Sequence, residues 1–171
     1  MLPELRDLYE PLEQRKAEFL TRLLALDEEE RRAAPAPGAW SPHQVLLHLL
    51  YVEGLSAGPE VALPPDNTER PRPGIGLMTK LLAATMRAAI RLPAPDSASP
   101  PDEPGVSCEE VAARWTARRE DLRRRLEAVT DADRPFARHP IVGPLTARQV
   151  LNLCESHLVY HLKRFPAPPR K

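Results

Sequence analysis

In "LNLCESHLVYHLKRF", two histidines four residues apart stand on the side of a helix where its leucines stand. At about 100° per residue, Val150, Leu153, Cys154, His157, His161 and Phe165 share one arc, while Asn152, Glu155, Ser156 and Lys163 lie outside it. Burying either imidazole unpaired costs roughly 1–3 kcal/mol, so both need a partner in the interior. A third histidine, His48 in "WSPHQVLLHLL", sits seven residues into another helix, about 10 Å from that helix's start. His157 and His161 lie roughly 6–12 Å from the end of theirs. If the two helices are antiparallel, all three rings reach one level of the core. Three convergent imidazoles describe a metal site that keeps positions open for water or substrate. The plainer alternative is that each is a core histidine satisfied by a nearby carbonyl or carboxylate.

Apolar residues recur at helical spacing in five places, and no run alternates convincingly at period two. Leu5, Leu8, Leu12, Phe19, Leu20, Leu23 and Leu24 mark the first helix, which Pro11 should start late or kink. The next begins at "SPHQ", with Ser41 as cap, Pro42 at the first helical position and Gln44 closing a capping box. It runs to about Ala57 with Val45, His48, Leu49, Val52 and Leu55 on one face. A shorter helix is expected from about Leu77 to Arg91. Ser107 with Glu110 and Thr146 with Gln149 open two more, the last running to about Phe165. Proline-dense segments lie between them, and no internal repeat or Gly-rich phosphate loop is present. The expected fold is all-α: one domain spanning 1–171, a four-helix bundle in up-down-down-up order. The extra helix lies on the long 58–106 crossover.

The charges balance at 24 basic and 24 acidic residues, which gives no general attraction to nucleic acid or anionic membrane. "RREDLRRR" contains acids and a core-facing leucine, and reads as a solvated helix face. Two cysteines, Cys108 and Cys154, are too few for a disulfide framework. Charges within the first six residues do not match a signal peptide, and the apolar runs are too short to span a bilayer, so a cytoplasmic location is expected. Cys154 shares the histidine face and could ligate zinc, although a buried free cysteine is usually a small apolar residue. Glu53 reads as an exposed helix carboxylate, with a role as acceptor behind a ligand as the alternative. His43 and His139 read as solvent-facing or structural, and Trp115 as core, with a place in a pocket wall near the metal end as the alternative.

Taken together, "WSPHQVLLHL" and "RHPIVGPLTARQVLNLCESHLVYHLKR" resemble the DinB-like family of metal-binding helical bundles, which includes the YfiT-like and thiol-transferase branches. Trp40, Ser41 and His48 match the family's tryptophan-serine helix start and following histidine. His139 to Thr146 match the "HPxxGxLT" segment, and His157 and His161 match the HxxxH. The resemblance implies an up-down-down-up bundle, a divalent metal, zinc or nickel, on His48, His157 and His161, and a homodimer. It implies also an enzyme that transfers a low-molecular-weight thiol, of the bacillithiol or mycothiol type, to an electrophilic small molecule. Metal-dependent hydrolysis and a non-catalytic metal- or ligand-binding stress protein are the rival readings. Segments 34–40 and 92–106, with the tail "FPAPPRK", are expected to shape the substrate entrance.

Overall fold

Local hydrogen bonding sets where the helices begin. Ser41 Oγ accepts from the Gln44 backbone N–H, and Gln44 Oε1 accepts from the Ser41 N–H. Thr146 and Gln149 repeat the same reciprocal pair. At Ser107 only half of the expected box forms, with Ser107 Oγ accepting from the Glu110 N–H. Each of these bonds satisfies a donor that the first helical turn otherwise leaves unpaired.

The computed structural model describes residues 1–64, 69, 73–90, 98–101 and 103–165. In chain order the elements are α1 (Pro3–Leu24), α2 (Glu28–Arg32), α3 (Pro42–Ala57), a 3-10 turn (Pro59–Val61), α4 (Ile75–Arg87), α5 (Cys108–Glu127), β1 (Pro135–His139), β2 (Gly143–Thr146) and α6 (Ala147–Leu162). The chain is thus mostly helical, with one small two-stranded sheet.

Three features depart from the sequence expectation. First, α1 does not start late, and it runs unbroken through Pro11. Pro11 and Asp7, whose carbonyl loses its helical donor, are both exposed, so water can satisfy that carbonyl. Second, Asp27 and Glu30 form a capping box for the short α2, which has no apolar stripe to announce it. Third, residues 135–146 form an antiparallel hairpin. Its register shifts between Pro135 and Ala137, and that irregularity puts both Phe136 and Ala137 inside and spoils any period-two signal. At its turn His139 Nδ1 accepts from the Ile141 and Val142 N–H groups at 3.2 and 3.4 Å. Gly143 follows at φ +81°, a conformation that favours glycine.

The buried apolar side chains form one cluster, drawn from Leu5, Leu12, Phe19 and Leu23 of α1, Leu46 and Leu50 of α3, Val111, Trp115, Leu122 and Leu126 of α5, and Val150, Leu151 and Leu158 of α6. Helix α1 packs on α6 and α5, and α3 packs on the same two. Named contacts give the levels. Phe19 meets Phe165 at 4.7 Å, and Arg22 donates to the Leu162 carbonyl at 3.3 Å. Tyr9 donates to the Arg119 carbonyl and Lys16 to Thr116. Glu53 meets Arg119, and Arg125 donates to the Ala57 carbonyl. Helix α4 lies along α6, with Arg87 paired to Glu155 at 2.8 Å.

The Glu53–Arg119 pair corrects two expectations. Glu53 is 7 % exposed and Arg119, inside the run read as a solvated face, is 1 % exposed. Arg119 grips Glu53 with Nε and Nη2, the latter at 2.6 Å, and reaches Glu13 with Nη1 at 2.7 Å. Its guanidinium also sits 5.6 Å from the Trp115 ring. Arg124 keeps to the outside, and Arg118, Arg123 and Arg125 are half-buried, so the full burial of Arg119 was hidden by its neighbours. Removing one partner of such a pair strands the other charge. Arg119→Met should therefore lose about 3–5 kcal/mol of unfolding free energy in urea titration, and adding Glu53→Leu should restore most of it. A loss under about 1 kcal/mol in the single variant would contradict this account.

Candidate metal centre

His48 is the seventh residue of α3 and points toward α6, where His157 and His161 occupy successive turns. His48 Nε2 lies 3.1 Å from His157 Nε2, and His161 Nε2 lies 3.0 Å from the same atom. The three rings stand edge to face, with centroids 4.7–5.0 Å apart. Neighbours fix their orientation. Trp40 lies tilted against His48 at 4.6 Å, and Tyr160 meets His161 edge-on at 5.1 Å.

The tautomer of His48 follows from its partner. Its Nδ1 is 2.6 Å from the Ala98 carbonyl oxygen, which can only accept. Nδ1 therefore carries the proton, and Nε2 presents a lone pair to the other two rings. Burial disfavours charge on all three. It lowers the pKa of His48, against a smaller opposing effect of the Ala98 carbonyl. It pulls His157 down to about 3, helped by His48. His161 is held well below the ordinary value by burial first, then by His157, His48 and Arg164. Three neutral donors result.

Those protonation states test whether a cation fits. With neutral rings and the proton of His48 on Nδ1, His157 Nε2 either donates toward His48 or accepts from His161. His157 Nε2 cannot do both, so one of the two short contacts is left without a well-aimed hydrogen bond of its own. A cation among the three nitrogens satisfies all of them together. Nitrogens 2.0–2.1 Å from a tetrahedral zinc stand about 3.3 Å apart, within a few tenths of an ångström of the two contacts to His157 Nε2, and the three ligand atoms lie within 4.8 Å of one another. The group could hold a metal ion, and among the described residues these three are the His, Cys, Asp and Glu side chains so gathered.

Other candidates lie elsewhere. Cys154 is not drawn into the cluster. Its thiol is pushed up to about 12 by burial and then by Glu53, which leaves it protonated and inert. Glu53 is held by Arg119. His43 is 6 % exposed, not solvent-facing, and its Nε2 has no partner among the described residues. His139 is half-buried and organises the hairpin turn.

A cavity of about 780 Å³ opens beside the three histidines. Val45, Leu49, Val52 and Leu55, read from the sequence as one face of the helix, line this cavity, and Leu49 belongs to the core cluster as well. Leu46 and Leu50, around the helix, face the packed interior, and Glu53, buried against Arg119, borders the cavity too. Helix α3 is therefore covered on two sides, and apolar periodicity alone could not tell wall from core. Pro35, Gly38, Ala39 and Trp40 line the cavity as expected of segment 34–40, and Ala98 does so for segment 92–106. Residues 91–97, 102 and 166–171 lie outside those described, and the expectation for 92–97 and for the tail beyond Phe165 lies outside them too. Two walls were missed: Leu82 and Met86 from α4, and Pro140 with Ile141 from the hairpin turn. Leu82 and Met86 stand one turn apart, which was the available signal.

Among the described residues no helix is long and apolar enough to cross a membrane. No curated protein and no solved structure matches the chain. The sequence model of the DinB superfamily matches residues 12–164, a span that carries all three histidines, and the chain belongs to that superfamily.

Proposed function

We propose that His48, His157 and His161 hold one divalent metal, zinc or nickel, and that the protein is a metal-dependent enzyme that transfers a bacillithiol-type thiol to an electrophilic small molecule. The observation that carries this reading is the convergence of three neutral imidazole nitrogens at the wall of a 780 Å³ cavity. The domain is taken as one unit spanning 1–171, an up-down-down-up four-helix bundle. Supporting that order, contacts rise together along α1 and α6 (Glu4 with Arg148, Arg22 with Leu162) and along α3 and α5 (Glu53 with Arg119, Ala57 with Arg125). They run oppositely along α1 and α5, where Tyr9 meets Arg119 and Lys16 meets Thr116.

A divalent cation bound by neutral ligands keeps its full charge, which lowers the pKa of a thiol or water beside it. The chain supplies the rest. The Ala98 carbonyl and the Trp40 ring hold His48 in one tautomer and one orientation. Apolar walls from α3 and α4 exclude water around the organic part of a substrate. Among the described residues that line the cavity the one carboxylate, Glu53, is held by Arg119, so the thiol proton is taken to leave to solvent. Sulfur then forms the new bond to carbon, and the leaving group departs with the old bond's electron pair.

Elemental analysis of tag-free protein should find about one divalent metal per chain. His48→Ala, His157→Ala and His161→Ala should each abolish stoichiometric occupancy, while His43→Ala and His139→Ala should keep it. Full occupancy in any of the first three would remove that residue from the ligand set. Incubation of the metal-loaded protein with bacillithiol and a model alkyl or aryl halide should yield the thioether catalytically, and chelation should stop it. Release of an alcohol or acid in place of the thioether would point to hydrolysis, and no turnover of either kind to a binding role.

A homodimer is part of the same proposal. It is supported by the apolar side chains Leu77, Met78 and Leu81 that α4 leaves exposed. Light scattering at tens of micromolar should give about twice the 19.1 kDa chain mass, and a monomer at that concentration would refute it.

A further inference from the structure

Among the described residues Arg164 is the one arginine or lysine that lines the histidine cavity, and it also lines a smaller neighbouring cavity of about 290 Å³. It follows His161 by three residues, just past the end of α6, so it stands at the rim, less than one helical turn from the imidazoles. Nearby arginines have carboxylate partners: Arg87 has Glu155, Arg22 has Glu18 and Arg119 has Glu53. Arg164 has none among the described residues. Its guanidinium stacks on the Tyr160 ring at 4.4 Å and donates one hydrogen bond, 2.6 Å, to the Ala89 carbonyl.

That arrangement fixes the group without saturating it. Stacking occupies a face of the guanidinium, the Ala89 carbonyl takes one N–H, and four of the five N–H donors remain available in the plane. None of the described residues that line the cavity competes for them. Its histidines are uncharged, and the charge of Glu53 is matched by Arg119. Leu49, Val52, Leu82, Met86 and Ile141 supply apolar wall below the rim.

We propose that Arg164 anchors the carboxylate of an apolar-bodied organic acid, whose body lies in the cavity beside the three histidines. The assignment rests on reading that cavity as the substrate site, and it names the class of molecule taken there. A single guanidinium edge matches one carboxylate in bidentate fashion, whereas a phosphate dianion would leave a charge unmatched.

Calorimetric titration of 4-phenylbutyrate and of its uncharged amide separates the anchor from the metal. In chelator-treated protein and again after zinc addition, the acid should bind about five- to tenfold more tightly than the amide, the scale of one partly exposed charge-assisted pair. Arg164→Gln should bring the acid down to the affinity of the amide while leaving the amide unchanged, which also shows that the cavity is intact. Arg164→Lys should keep part of the preference. Equal affinities in the wild type, a preference that survives Arg164→Gln, or no binding of either compound at millimolar concentration would each overturn the assignment. A preference that appears only with zinc and ignores the variant would give the anion to the metal and overturn it too. Failure of zinc to bind, with the acid preference intact, would remove the metal centre and leave the anchor standing.

Discussion

Polar groups carried into an apolar interior must find partners there; α3 carries four, His43, His48, Glu53 and Ser56, and two of them reach across to other helices. His48 and Glu53 lie five residues apart on a helix whose other buried side chains are mainly leucines. Their needs are met by different helices: His48 by α6 and the Ala98 carbonyl, Glu53 by Arg119 of α5. Sliding α3 by one turn against either neighbour would leave a carboxylate, a guanidinium or an imidazole buried alone. Leucine contacts tolerate such a shift far better, because the hydrophobic effect has no direction. The two polar pairs therefore specify the register in which α3 meets its neighbours, and that register brings the three histidines to one level.

The same helix explains why a cavity sits where it does. Side chains on one side of α3 interlock with the core, while Val45, Val52 and Leu55 on the other side remain half-buried at the cavity wall. Closing that space would require something to pack directly on the imidazoles. Trp40 comes nearest, but it covers one face of His48 and leaves the nitrogens toward His157 open. An apolar wall beside neutral donors raises the strength of any electrostatic contact made there, since little water is present to screen it. Chemistry and packing thus meet on one surface of one helix.

Much of this was legible in the residues. The helix starts were read from caps, and each lies within about a residue of where Ser41, Ser107 and Thr146 put it. The convergence of His48 with His157 and His161 followed from counting residues along two helices. What could not be read was the inside of a charged run. Arg119 looks like Arg118 and Arg123 in sequence, and only the position of Glu53 and Glu13 across the interface turns it inward. The hairpin was hidden for a different reason, since its bulge sends two consecutive residues to the same side. Distinguishing core from cavity on α3 needed the neighbouring elements themselves, because both surfaces ask for the same apolar side chains.

Helix α4 shows how such a neighbour is added. It belongs to the long crossover between α3 and α5, where extra chain costs little because loop-closure entropy grows only with the logarithm of length. Within that crossover Thr79 and Ala83 are buried, Leu82 and Met86 face the cavity, and Arg87 binds Glu155 and Asn152 of α6. The last turn of α4 is thereby tied to the helix that bears His157 and His161. Just beyond it, the Ala89 carbonyl, next to a residue pair that closes the helix, receives Arg164. A segment outside the α1, α3, α5 and α6 contacts therefore supplies one wall of the cavity and holds the cation at its rim. Altering the sequence of such a segment changes the shape of the space beside the histidines without touching the polar pairs that bring them together, which makes the crossover the part of this chain freest to set what enters.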